Sequence, residues 1–232
     1  MDLSRRSELQ EIMDDPALPR AEYERCLHDL AAVNRVTLTH RPTLRWLERA
    51  TRGLPADRAV SILDVACGGG DLLRAIHRWA ARRGRTVRLE GIDLNPRSAA
   101  AAAARTPAGW DIRWRTGDVF DHMPDPAPDF IVTSQFTHHL ADADIVRFLR
   151  WLERHATKGW LIVDLHRAAF AYRGFGLLAT VARWHPIVRS DGMISVARGF
   201  RRAEWERLLA EAEVRGEIAW QLGFRWSVSR LK

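Results

Sequence analysis

The apolar positions of this chain change rhythm twice. Up to about residue 55 they recur at helical spacing, and in "RAEYERCLHDLAAV" Tyr23, Leu27, Leu30 and Ala31 fall on one stripe. "RPTLRWLERA" opens with a proline suited to the first turn of a helix. From residue 60, short apolar runs alternate with amphipathic stretches. "AVSILDV" predicts a buried strand, and Leu72, Leu73, Ile76 and Trp79 predict the inner face of the helix after it. "TVRLEGID" predicts a second strand, followed by the alanine-rich helix "PRSAAAAAAR". "WDIRWRTGD" and "DFIVTSQF" predict the third and fourth strands. Ile145, Phe148, Leu149 and Leu152 then share one helical face, and "GWLIVDL" predicts a fifth strand. After the helix "RAEWERLLAEAEV", the run "RGEIAWQLGFRWSVSRL" predicts two strands about Leu222 and Gly223, an antiparallel hairpin.

Strands that alternate with helices imply an α/β fold: a doubly wound, mainly parallel sheet of seven strands, closed by the hairpin. Residues 1–55 read as an N-terminal helical arm or cap, and residues 56–232 as the sheet domain. Residues 166–200 are too long for a simple connection and carry Phe170, Tyr172, Phe175, Leu177, Leu178 and Trp184. Such a segment is either an extra core layer or a lid over a ligand.

Composition narrows the setting. With 232 residues and 47% of them apolar, the chain can bury a substantial core and is not a disordered one. The longest apolar candidate span, "AAFAYRGFGLLATVA", is broken by Arg173 and two glycines, so no stable membrane insertion is expected. The N-terminus is charged and lacks a secretory core. Two cysteines, Cys26 and Cys67, argue for a reducing compartment and against a disulfide framework or zinc site. A soluble, cytoplasmic protein is expected. The net charge of +7 would attract nucleic acid or anionic membranes, but the arginines are scattered and form no block.

The chemistry starts at "SILDVACGGGDLL", residues 61–73, where an apolar run crosses three consecutive glycines between two aspartates. Such a turn opens a helix with its backbone N–H groups facing a ligand. A nucleotide P-loop would end in Gly-Lys-Ser/Thr, which is absent. A nicotinamide fingerprint starting at Gly68 would need a third glycine where Leu73 stands. The remaining reading is S-adenosylmethionine (SAM), whose zwitterionic methionine end needs carboxylates and backbone groups rather than a phosphate cradle.

"LDVACGGGD" resembles the first motif of class I SAM-dependent methyltransferases, with Asp64, Gly68 and Gly70 matching and Ala66 in the first glycine position. The resemblance covers roughly residues 58–165. It implies that Asp93, in "GIDLNP", grips the two ribose hydroxyls with Leu94 beside it. It implies likewise that Asp118, in "TGDVF", meets the adenine amino group with Val119 beside it, and that Gln135 borders the cofactor. A carboxylate suits a cis-diol because it accepts two hydrogen bonds side by side.

The fourth strand ends in "TSQFTHHL", without the Asn/Asp-Pro-Pro-Tyr/Phe or Pro-Cys signatures of nucleic-acid methyltransferases, so no nucleic-acid partner is expected. "HHL" resembles the subgroup that methylates hydroxyls of sugar, polyketide and quinone-type small molecules. In that subgroup the second histidine serves as general base, helped by an aspartate ending the fifth strand; here these are His139 and Asp164. His138 and His166 are further candidate bases, and a structural role for the histidine pair is the alternative. No metal is expected. The resemblance implies methyl transfer to a hydroxyl of a small, fairly apolar acceptor, with C-methylation of an activated ring carbon or a non-catalytic SAM-binding partner as alternatives. It leaves room for a homodimer.

Overall fold

The computed structural model describes residues 1–55 and 57–232; the expected domain boundary at residue 56 lies outside the described residues. A short 3-10 turn (Ile12–Asp14) precedes α1 (Arg20–Val36) and α2 (Arg41–Ala50). Then β1 (Val60–Val65), α3 (Asp71–Arg82), β2 (Val87–Asp93), α4 (Pro96–Ala104) and β3 (Ile112–Thr116) alternate. β4 (Phe130–Ser134), a 3-10 turn (Thr137–His139), α5 (Asp142–His155) and β5 (Gly159–Leu165) follow. Residues 166–200 form two helices, α6 (Ala169–Val181) and α7 (Pro186–Arg198). α8 (Arg202–Ala212) and the hairpin β6 (Glu217–Gln221) and β7 (Arg225–Leu231) end the chain.

Among the described residues one sheet has the order β3-β2-β1-β4-β5-β7-β6. β1 to β5 are parallel, and β7 slots antiparallel between β5 and β6. The order reverses between β1 and β4, which opens a crevice outside the carboxyl ends of those strands. β5 is buried at every position, as a strand covered on both faces must be. One face packs Phe148, Trp160, Phe200 and Trp205 under α5 and α8. The other packs Trp46, Leu73, Ile76 and Phe130 under α2 and α3. The N-terminal arm covers the crevice. Its first residues form a strap over α7: the Ser7 N–H bonds to the Ala197 carbonyl at 3.0 Å, and the Ile12 and Met13 N–H groups bond to the buried Asp191 carboxylate.

Candidate active site

The glycine turn sits at the carboxyl end of β1. Ala66 (φ 57°), Gly68 (φ 50°) and Gly70 (φ 75°) all take left-handed conformations. Gly70 cannot be anything larger, because a Cβ there would lie 2.3 Å from Trp114 Cη2 of β3. Gly68 faces open space instead, and its N–H donates to Asp93 Oδ2 at 2.8 Å. Ala66 carries the strain that glycine would avoid. Ala66→Gly should therefore raise stability by about 0.5–1 kcal/mol, the relief of left-handed strain less the entropy of a freer unfolded chain. A lowered Tm in thermal unfolding would show that the turn is not held this way.

Three acidic side chains surround the turn. Asp64 is 2% exposed and lines the cavity; burial, then the nearby Asp71 and Asp93, push its carboxyl well above the usual range. Asp71 goes the other way. Burial alone would raise it, but hydrogen bonds from His40 Nε2 (2.8 Å) and Asn34 Nδ2 (2.9 Å) hold it below its ordinary value. Asp93 ends β2; burial raises it against N–H bonds from Asn95 (2.9 Å) and Gly68. Each Asp93 oxygen keeps a lone pair for a ligand hydroxyl. Leu94 next to it is exposed, Val119 is buried in the core, and the exposed Asp118 caps its own turn by accepting the Phe120 N–H at 2.9 Å. Gln135 (φ 58°) leaves β4 and donates Nε2–H to Asn34 Oδ1 at 2.9 Å. The donors gathered here suit SAM in their chemistry. A buried carboxyl crowded by two others favours an incoming cation, and Gly68 leaves the approach open.

The histidine turn departs from expectation. Asp164 is fully buried at the end of β5, but it pairs with His138 and not His139: His138 Nδ1 lies 2.7 Å from Asp164 Oδ1. Thr137 Oγ1–H and the His138 N–H donate to the other oxygen, at 2.5 and 3.1 Å. The cause is local. Residues 137–139 form a 3-10 turn, whose successive side chains diverge by about a third of a turn, so only one histidine can face β5. Burial alone would lower His138, but Asp164, then Glu11 with Oε1 3.5 Å from Nε2, raise it. Asp164 is held below its ordinary value because His138, Thr137 and the Leu165 N–H outweigh its burial.

His139 turns to the strap. Its Nδ1 lies 3.0 Å from Asp14 Oδ2, and its Nε2 lies 3.9 Å from Glu11 Oε1. Arg198 donates to the His138 and His139 carbonyls, both at 2.9 Å, and Arg6 to those of His138 and Leu140, which fixes the turn. Glu11, His138 and His139 bring three donor atoms within 4.8 Å of one another. His138 holds a proton there, between the Asp164 and Glu11 carboxylates. His166 is outside this group: it packs on Trp226 at 5.2 Å, beside Phe200, away from the cavity.

One cavity of about 180 Å³ joins the two turns. Its walls include Asp64, Gly68, Gln135, His138 and His139, with Glu11 and Asn34 from the N-terminal arm and Ser195 from α7. Sequence reasoning missed Glu11, Asp14, Asn34, His40 and Asp71. Asp71 alone carried a signal, being the second aspartate beside the glycines.

Fold, glycine turn and acidic strand ends together give the doubly wound, Rossmann-like sheet of methyltransferase structures, with the acidic groups at its carboxyl edge. Residues 62–159 match the family model described as a methyltransferase domain. Human N-acetylserotonin methyltransferase in complex with SAM aligns with a TM-score of 0.61 at 19% identity, over 92% of this chain and 57% of that one. The present chain thus spans little more than half of the human enzyme. The plantazolicin methyltransferase BamL, in complex with a triazolic desmethylPZN analog and S-adenosylhomocysteine (SAH), aligns with a TM-score of 0.67 at 14% identity, over 89% and 74%. Magnesium protoporphyrin IX methyltransferase from Synechocystis PCC 6803 aligns with a TM-score of 0.55 at 12% identity, over 95% and 88%. At these identities the likeness is one of fold. No curated protein matches the chain significantly.

Proposed function

We propose that this protein transfers the methyl group of SAM to a hydroxyl of a small, fairly apolar acceptor of phenolic, polyketide or quinone type, and that His139 takes the hydroxyl proton. One observation carries the reading: the cavity that begins at the glycine turn ends at His139. SAM, when bound, supplies an already electrophilic methyl group, so the protein's tasks are alignment and proton removal.

His139 suits the second task better than His138. A base must have a free lone pair, and His138 is raised by Asp164 and Glu11 and keeps its proton. Asp14 accepts the Nδ1–H of His139, which leaves a lone pair on Nε2 of a residue that lines the cavity. Asp14 thus does for His139 what the sequence assigned to Asp164. The Asp164–His138 pair positions the turn. The strap, α1 and α7 would enclose the acceptor, with Ser195 Oγ–H holding Glu11 Oε1 at 2.6 Å.

Two measurements test this. Wild type with labelled SAM and a panel of phenols and hydroxylated polyketides should give O-methyl products by mass spectrometry. Products methylated only on carbon would select the C-methylation alternative, and no turnover with any acceptor would select the non-catalytic one. Asp93→Ala should weaken SAM and SAH binding by about 10²–10⁴-fold in calorimetry, from two lost charged hydrogen bonds of about 1.5–3 kcal/mol each. Equal affinities would remove Asp93 from the cofactor site.

A further inference from the structure

Several large apolar side chains left in solvent gather on one surface: Leu38, Phe170, Leu177, Val181, Trp220 and Leu222 are 46–74% exposed. Contacts join them into a patch. The Phe170 ring lies 5.4 Å from Phe224, and Phe224 lies 6.3 Å from Trp220. Arg225, at the start of β7, donates to the Thr37 carbonyl at 3.2 Å, which sets Leu38 beside the hairpin tip. Along α6, Phe170, Leu177 and Val181 form a stripe at helical spacing. The opposite face of α6, with Gly176 and Ala179, is the one packed on the neighbouring helix: a Cβ on Gly176 would lie 3.0 Å from Met193 Sδ of α7.

Within α6 and its turn into α7 the charge has one sign, while Glu22 and Asp29 of α1 meet His185 of that turn. Residues 168–190 contain no Asp or Glu, and Arg173, Arg183 and Arg189 are exposed. None of the three forms an ion pair among the described residues. Just beyond Val181, Arg183 and Arg189 line a hollow of about 410 Å³ with Ala179 and Met193, on the α7 side of α6. The patch also lies at the edge of the sheet that holds the active site, since Arg225 of β7 pairs with Leu165 at the end of β5. Leu38 belongs to the same α1–α2 corner as the cavity residues Asn34 and His40.

We propose that this surface docks on an anionic phospholipid bilayer, with the α6 stripe and hairpin tip at the headgroup–acyl boundary and the exposed Arg173, Arg183 and Arg189 at the level of the lipid phosphates. An exposed helical stripe rimmed by unpaired arginines matches an interfacial surface. A second copy matches less well, because α6 and its turn into α7 present three exposed arginines and no acid of their own. Docking would bring the cavity to a lipid-dissolved acceptor. The proposal goes beyond the methyl-transfer reading and is measured without turnover.

The test is flotation with phosphatidylcholine vesicles, with and without phosphatidylglycerol. Wild type should float with the anionic vesicles about tenfold or more tightly than with the neutral ones, and salt should weaken this. Leu177→Glu with Val181→Glu should lower binding by about tenfold or more. Arg183→Gln with Arg189→Gln should remove most of the preference for anionic lipid. All four positions are exposed, so the melting of the variants should match wild type; Leu177→Ser with Val181→Ser replaces the glutamate pair if that one melts early. Three results would overturn the proposal: wild type floating with neither vesicle, the stripe variants floating like wild type, or a dimer that forms through this face and leaves vesicles unbound.

Discussion

His139→Ala is expected to lower turnover by about 10²–10⁴-fold while SAM affinity stays nearly unchanged, because the change removes a proton acceptor and no cofactor contact. The distances define the expectation. His139 lines the cavity, with Nε2 3.9 Å from Glu11 Oε1 and Nδ1 3.0 Å from Asp14 Oδ2. Asp14→Asn should cost less, since an amide oxygen can still accept Nδ1–H but does not stabilise the imidazolium that forms. The ordering matters more than either value. A merely structural Asp14 would alter Tm and leave the rate per folded molecule unchanged, whereas an orienting carboxylate lowers the rate at constant Tm. The comparison should use an acceptor below its own pKa, where the proton has still to be removed. If His139→Ala turns over at the wild-type rate there, alignment suffices and the base assignment falls.

The contrast between His138 and His139 shows where sequence reading stops. The glycine turn, Asp93 and the five parallel strands were legible because each is a local signal: an apolar run, then residues whose chemistry or φ suits a strand end. The partner of Asp164 was not. "HHL" offers two adjacent histidines, and the choice depends on the rotation of a single 3-10 turn that arginines 6 and 198 hold from distant parts of the chain. Glu11 and Asp14 were hidden for a related reason. In "EIMDD" they read as a charged N-terminus, and only the anchoring of Ile12 and Met13 on Asp191 folds them across the site. Asn34 and His40 likewise sit in a helical corner with no motif, and they reach the cavity because that corner packs over Asp71. Residues 166–200 were expected as a core layer or a lid. They fold as a helix pair in which α7 walls the cavity and α6 turns an apolar face outward.

Asp164→Asn is expected to destabilise the fold by about 3–5 kcal/mol, the cost of leaving one member of a buried ion pair without its counter-charge. The arrangement around Asp164 makes the substitution worse than neutral. One carboxylate oxygen accepts from Thr137 Oγ1 and the His138 N–H, the other from His138 Nδ1 and the Leu165 N–H, so either placement of an amide NH₂ meets donors. The wild-type pair also has a pH signature. Asp164 is lowered in the fold, so its contribution is present above its unfolded pKa of about 3.9 and is lost as pH falls through the folded value. His138 is raised, so its contribution is complete below an unfolded pKa of about 6.5 and fades as pH rises through the folded value. The pair is therefore strongest between roughly pH 4 and 6.5. Above that window the folded state holds one proton more than the unfolded chain, and this linkage alone removes about 1.4 kcal/mol per pH unit until His138 titrates. Urea unfolding across neutral and mildly alkaline pH should show that decline in wild type. In Asp164→Asn the decline should be much flatter, with Glu11 the remaining carboxylate near His138. Parallel declines in the two proteins would mean that His138 is not held protonated by Asp164, and would return it to the candidates for the base.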